Sequence, residues 1–491
     1  MLCCTKLAGQ LQRTTKRLFC SSHASFDRLL ENTADYLLDY DVFGSETAIR
    51  TARLCLLDSL SCAMRALDHP QCTRLLGPMV PTPPGVCRVP FTQHKLDPVQ
   101  ATFNLGVLIR WLDFNDAWLA AEWGHPSDNI AAVLTLSDFL SRTQGKKISM
   151  KTVLEHIIKA YEIQGVIALE NSFNRIGLDH VLLVRIASAA VSAKILGANR
   201  EQLLNTLSNA WIDGGALRTY RHHPNTGSRK SWAAGDATSR GVWLALLALK
   251  GEMGYNTALS APKWGFQDVL LNGEALKLNQ TFGTYVMENI LFKVSYPAEF
   301  HAQTAVEAAC KLHPSVRGRI EEIEEIQIET QQSAVRIIDK TGPLRNVADR
   351  DHCLQYMVAV ALLDGNLTAH SYSDEHASNP AIDILRSKMN VVENPRFSRD
   401  YLHPDKRSIA NSVQVKFKDG SWSDKVMVEY PVGHRCRRQE ALSLLREKFE
   451  GPLETFVKSV ERRNQLLKIS RDPSLMDDMA VSDFMDLLDT E

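Results

Sequence analysis

The chain has 491 residues, 44% of them hydrophobic and 23% charged, with a formal net charge of -1. A chain this long buries a core without disulfides or structural metals, and its near-neutral balance provides no global field to recruit nucleic acid or a membrane surface. No apolar run approaches the roughly 20 residues of a membrane span, so any anion site must be a local cluster.

The first residues, MLCCTKLAGQLQRTTKRLFCSSH, carry Lys6, Arg13, Lys16 and Arg17, and no acid precedes Asp27. At helical spacing Leu7, Leu11 and Leu18 share one face, with the basic residues opposite. That is the pattern of a mitochondrial transit peptide, expected over residues 1–24 and addressing the chain to the matrix. A frayed basic tail is the alternative.

From residue 25 to 292 the chain reads as helical. Ser45 is a good N-cap for the helix beginning SETAIRTARLCLL, and VQATFNLGVLIRWL and NIAAVLTLSDFLSR read as buried helices. The Ala- and Ser-rich VLLVRIASAAVSAKIL suits close packing and stops at Gly197. The character changes at Lys293. EEIEEIQIETQ and NSVQVKFKDGSWSDKVMVEY alternate with period two, and Asp419-Gly420 divides the second into a hairpin. DRDHCLQYMVAVALLDG between them reads as a buried helix. Residues 293–430 are therefore expected to form a smaller α+β domain. Residues 431–491 return to helix and are expected to pack on the large domain, with the acid- and Met-rich end beyond Asp472 docking loosely. The predicted fold class is mainly α.

Ten cysteines include no Cys-x-x-Cys pair, and their spacings suit neither a zinc site nor an iron–sulfur cluster. They read mainly as small buried hydrophobes.

Four stretches carry candidate chemistry. In DFNDAWLAAEWGHPSDN, Pro126 bars helix for His125, and Ser127 or Asp128 can cap the helix that follows. His125 thus stands at a helix entrance, where free N–H groups favour an anion. A capped surface loop with solvated acids is the bland alternative; one histidine among acids makes a poor metal site. In LRTYRHHPNTGSRKSW, Arg218, Arg221, His222, His223, Arg229 and Lys230 lie in an acid-free gap that suits a small polyanion. A solvated basic loop is the alternative there, and a nucleic-acid patch is disfavoured by the short run. Lys293, Glu299 and His301 straddle the expected domain boundary, where a cleft would close. His180 opens an apolar helix after Asp179 and matters only if it points into that cleft.

RWLDFNDAWLAAEWGHPSDN, YEIQGVIALENSFNRIGLDHVLLV, LRTYRHHPNTGSRKSWAAGDATSR, YVMENILFKVSYPAEFHAQTAVEA and RIIDKTGPLRNVADRDHCLQYMVAVALL closely resemble the dehydratase branch of the MmgE/PrpD family. The resemblance runs from about residue 27 to the C-terminal helices. It implies a large helical domain built from both ends of the chain, a smaller α+β lid, and an active site in the cleft between them. The implied reaction removes water from 2-methylcitrate, a small tricarboxylate, to give 2-methyl-cis-aconitate in propionate breakdown. No cofactor is implied, and a homodimer is. Alternatives within the family are decarboxylation of cis-aconitate to itaconate, or a non-catalytic member.

Carried over onto this sequence, the family's motif residues fall on Asp113, His125, His180, Lys230, Lys293 and Tyr356. The resemblance makes His125 and His180 acid/base candidates and Asp113 a group that orients a histidine. Lys230 and Lys293, helped by Arg221, would hold carboxylates, and Tyr356 would donate a hydrogen bond. Arg218, His222, Glu299 and His301 complete the expected substrate contacts. Ala117 departs from the family's usual threonine. Glu299, with His301 two residues on, stands where the decarboxylase branch has histidine directly after Pro-Ala.

Overall fold

Local capping starts the helices where the sequence places them. In the computed structural model, which describes residues 25–222 and 224–490, Ser45 accepts from the Ala48 amide at 3.1 Å and opens a helix over Glu46–Ala66. Asp97 accepts from the Val99 and Gln100 amides at the head of Pro98–Arg110, with proline in its favoured first-turn position. Gly145 and Gly197 take φ of 63° and 86° just past two helix ends, a left-handed stop that glycine adopts without strain. The leader read as a transit peptide, with Cys3, Cys4 and Cys20, lies outside the described residues, as does His223.

We number the longer helices α1 (Arg28–Asp39), α2 (Glu46–Ala66), α3 (Pro98–Arg110), α4 (Ile130–Gln144), α5 (Met150–Ala168), α6 (Val181–Ile195), α7 (Arg200–Ile212) and α8 (Arg229–Leu249). Small residues let α3 and α8 cross closely. A Cβ added at Gly106 would stand 2.7 Å from Gly235 Cα, and one at Gly235 would stand 2.7 Å from the Phe103 carbonyl. This crossing matters to the site, because α3 ends at Arg110 and Lys230 lies in the first turn of α8.

Beyond Lys293 come α9 (Gln303–Val316), α10 (Leu354–Asp364) and four strands: β1 (Ile323–Thr330), β2 (Met389–Glu393), β3 (Asn411–Phe417) and β4 (Val426–Val428). The sheet order is β2-β1-β3-β4, with β1 parallel to β2 and the other pairs antiparallel. Ile323, Ile326 and Ile328 of β1 pack with α9 and α10 in one apolar cluster spanning residues 298–428. Asp419-Gly420 makes the expected turn, with Gly420 at φ 85°. Strand β2 was not foreseen. MNVVE is a short edge strand, only half-buried, so its alternation is weak.

The larger cluster collects residues 30–294 and then the chain's other end. Helices α11 (Arg438–Glu450) and α12 (Val460–Arg471) add Ala441, Leu445, Phe449, Leu466 and Ile469 to it. The end beyond Asp472 does not dock loosely. Val481, Phe484, Met485 and Leu488 are buried in the same cluster, while Asp477 pairs with Arg53 at 2.5 Å and Asp486 with Arg142 at 2.6 Å. Asp477 and Asp486 are therefore anchors of this end rather than solvated charges. Cys55, Cys62, Cys72, Cys87 and Cys353 are buried thiols.

Gly235→Ala is expected to lower stability by about 1–3 kcal/mol through overpacking of the α3–α8 crossing. Thermal unfolding measures this, and an unchanged midpoint would show that the helices part without cost.

Candidate active site

The segment between α3 and α4 builds most of the site. Its first turn places Asp113 at φ 49°, a left-handed conformation uncommon outside glycine. Arg110, one helical turn earlier, donates to Asp113 Oδ1 at 2.8 Å. Lys293 Nζ donates to the same oxygen and to the Asp113 carbonyl at 2.8 Å. A two-way backbone bridge explains why Lys293 arrives there: Ala117 and Leu291 exchange hydrogen bonds of 2.8 and 3.1 Å. Lys448 secures the arrangement from α11. Its ammonium donates to Asp58 at 2.6 Å, to the Phe114 carbonyl at 2.7 Å and to the Lys293 carbonyl at 2.9 Å.

Trp118 and Gly124 then pair through both backbone bonds, folding the chain back on itself. His125 returns over the start of the segment. Its Nδ1 lies 2.7 Å from the Asp116 carbonyl, which accepts the N–H, and its Nε2 is 3.8 Å from Asp113 Oδ1. His180 enters from the head of α6, its ring centroid 5.5 Å from that of His125. Its Nδ1 lies 3.2 Å from Asp179 Oδ1, off the line of a hydrogen bond, and its buried Nε2 has no hydrogen-bond partner. Behind it, Asp179 grips Arg221 through both carboxylate oxygens and lies 3.9 Å from Arg218.

The residues beyond Lys293 close the other side. Glu299 accepts from the His301 amide at 2.8 Å and contacts its Nδ1 at 2.7 Å, while His301 Nε2 lies 3.0 Å from the Tyr401 hydroxyl. His352 approaches Asp113 from the far side, its Nε2 3.8 Å from Oδ2. Its Nδ1 lies 2.8 Å from Asp351 and 3.1 Å from Lys230 Nζ, and Lys230 in turn holds Asp351 at 2.5 and 2.7 Å.

These groups gather around one pocket at the meeting of the two apolar clusters. Its lining carries Arg110, Arg218, Arg221 and Lys293 against the carboxylates of Asp113 and Glu299. Burial opposes ionisation of Asp113, but Arg110 and Lys293 outweigh it and hold the carboxyl well below the usual range. The imidazoles go the other way. Burial, then Arg110 and Lys293, push His125 well below its ordinary value. Burial lowers His180 as well, and the guanidinium groups of Arg221 and Arg218 add to it against the opposing pull of Asp179. Burial and Lys230 bring His352 down to about 4. The resting cavity thus holds three neutral imidazoles beside fixed cations, an arrangement able to grip a small polycarboxylate and move a proton on it.

Residues 31–279 match the MmgE/PrpD N-terminal domain, and residues 296–471 match the MmgE/PrpD C-terminal domain. The chain belongs to the MmgE/PrpD family. It is 54% identical over 472 residues to the 2-methylcitrate dehydratase of Escherichia coli (strain K12), covering 94% of this chain and 97% of that one. The 2-methylcitrate dehydratase of Cupriavidus necator is 54% identical over 470 residues, with the same coverage. The protein of Yarrowia lipolytica named 2-methylcitrate dehydratase, mitochondrial, is 54% identical over 433 residues, covering 86% of this chain and 83% of that one.

In this MmgE/PrpD chain the cavity brings together Asp113, His125, His180, Arg218, Arg221, Lys293, Glu299 and His301. Lys230 stands one contact behind it, through Asp351 and His352. Tyr356 is further away: its hydroxyl donates to the Ser371 carbonyl at 2.7 Å within the smaller apolar cluster. His222 is exposed. The acids of the opening stretch are not a solvated surface. Asp116, Glu122 and Asp128 are buried, and burial raises their carboxyls to about 6, 7 and 7. Nor do Ser127 and Asp128 cap α4: Ser127 donates to Asp116 at 2.7 Å, and Asp128 accepts from Asn115 at 3.1 Å. Sequence reasoning missed Arg110, His352 and its partner Asp351. Arg110 had a signal, the i,i+3 spacing to Asp113. His352 had only the run Asp-Arg-Asp-His before an apolar helix.

Histidine NMR of the unliganded protein should show His125, His180 and His352 neutral at pH 6, because a lowered pKa delays protonation to more acidic pH. A resonance of His352 titrating near pH 7 would contradict the charge environment described.

Proposed function

We propose that the protein is a hydro-lyase that dehydrates 2-methylcitrate to 2-methyl-cis-aconitate in the methylcitrate cycle. The observation that carries this reading is the cavity itself: cations for three carboxylates and neutral imidazoles for the proton, in a chain 54% identical to 2-methylcitrate dehydratases over most of its length. We take residues 293–430 as a lid over the large helical domain.

The reaction removes a proton from carbon next to a carboxylate and expels hydroxide. The first half needs a base and cations around the carboxylate that accumulates charge; the second needs a proton donor. His125 suits the base, because its Nδ1–H is committed to the Asp116 carbonyl and Nε2 keeps a free lone pair. The C–H electron pair then forms the double bond as the C–O bond breaks. His180 suits the donor. A polycarboxylate entering the cavity raises the proton affinity of its imidazole, already 3.2 Å from Asp179, so the ring takes up a solvent proton on binding and delivers it to the departing hydroxide, yielding water. Asp113, 3.8 Å from both His125 and His352, stabilises imidazolium as it forms. Lys293, Arg221 and Arg218 hold carboxylates bidentately or as point charges. Lys230 acts through Asp351 and His352 rather than on substrate. We leave Tyr356 outside the chemistry, since its hydroxyl is committed to Ser371.

The proposal needs no metal. Asp113, the carboxylate most central to the cavity, is already paired with Arg110 and Lys293, and the surrounding cations repel a divalent ion. Glu299, committed to His301, occupies the position where the decarboxylase branch carries histidine. A mitochondrial address, carried by residues 1–24, fits the relative named as mitochondrial; a reporter fused to that leader tests it.

Turnover is read from the absorbance of the new conjugated double bond. His125→Gln is expected to keep the fold and lose roughly 10²–10⁴-fold in kcat; retained turnover removes His125 from the mechanism. Incubation with a chelator followed by desalting is expected to leave the rate unchanged, and rescue by added iron would overturn the metal-free reading.

A further inference from the structure

The cavity is charged almost all round, yet one part of it is not. Ala117 and Leu119, two residues apart, both line the cavity and share one apolar cluster. Trp118 between them points the other way, into the large domain, where its Nε1 donates to the Gly165 carbonyl at 3.0 Å. Ala117 and Leu119 are 2% and 3% exposed and cluster with Phe300, while Ile337 reaches the cavity from the smaller apolar cluster. The other large apolar surface in the lining, Trp123, is covered by the guanidinium groups of Arg218 at 5.3 Å and Arg336 at 5.7 Å.

We propose that Ala117, Leu119, Phe300 and Ile337 form the subsite for the substrate's methyl group and set the preference for 2-methylcitrate over citrate. This rests on the dehydratase reading above. In 2-methylcitrate the methyl sits on a carbon that also bears a carboxylate and the proton to be lost. The methyl subsite must therefore adjoin a carboxylate-holding cation and the acid/base groups. Phe300 adjoins the cation, with Lys293 Nζ 6.0 Å from its ring centroid, and shares the lining with His125 and His180. Ala117 meets that demand through the backbone bridge to Leu291 that delivers Lys293 to Asp113. A methyl group placed elsewhere on the lining would strip water from a charge and return no contact. The wall draws on both sides of the cleft, so the methyl group helps to hold the smaller part closed over the larger one.

One methyl group in an apolar pocket is worth roughly 10–200-fold in kcat/KM. The test measures kcat/KM for 2-methylcitrate and for citrate in the native chain, in Leu119→Asn and in Ile337→Thr. Leu119→Asn keeps the branched shape and Ile337→Thr keeps the β-branch with one carbon fewer, so both put a polar group in the wall, on opposite sides of the cleft. The native chain should prefer 2-methylcitrate by at least tenfold, and that preference should fall about fivefold or more in each folded variant. A ratio within twofold of the native value in a folded variant overturns the subsite while leaving the dehydratase reading intact. A native chain that dehydrates neither acid overturns the reading itself and the subsite with it.

Discussion

The buried cluster of Asp113 with Lys293 and Arg110 is the constraint on which the rest of the site depends. A carboxylate this deep is costly unless its charge is met, and removing one partner of a buried pair typically costs about 3–5 kcal/mol. The partners come from distant places in the chain. Arg110 ends α3, and Lys293 lies 180 residues beyond Asp113 at the passage between the two apolar clusters. Holding them together requires the Ala117–Leu291 bridge, the left-handed turn at Asp113 and Lys448 reaching in from the C-terminal helices. The C-terminal helices therefore serve the middle of the chain. This is the physical reason why Lys448, 155 residues after Lys293, sits on a helix packed into the larger apolar cluster.

The same cluster sets the chemistry of the imidazoles. Burial, and then the field of Arg110 and Lys293 that Asp113 answers only in part, keeps His125 neutral. Lys230, answered by Asp351, does the same to His352. A site prepared this way is short of negative charge and waits for a polyanion to supply it. In the proposed reaction substrate binding and proton affinity are coupled: each carboxylate that enters makes the histidines better proton acceptors and holders. Empty, the cavity does not spend its bases on solvent protons.

Much of this was legible along the chain. Ser45, Gly197 and Asp419-Gly420 announced the ends of their elements, because caps and tight turns depend on residues a few positions apart. Asp113 and His125 could be singled out together because a two-residue bridge folds one short segment onto itself. His352 and Lys230 were harder to assign. Their roles depend on each other across 122 residues, and nothing local distinguishes a lysine facing substrate from one facing Asp351. The acidic tail misled for a related reason: Asp477 and Asp486 look like solvated charges until Arg53 and Arg142 are found opposite them.

By itself, then, the sequence determined the helical character of the chain, the change to alternating strands after Lys293, and which residue types were available for polyanion chemistry. Period and capping are written in neighbouring residues, and such patterns survive without tertiary context. Only the tertiary structure decided which charges meet. It put Tyr356 against Ser371, brought Arg110 and His352 to Asp113, buried Asp116, Glu122 and Asp128, and left Ala117 and Leu119 as apolar wall in a charged cavity. A buried charge is stable only beside its partner, and that partner is chosen by the packing of distant helices rather than by spacing along the chain.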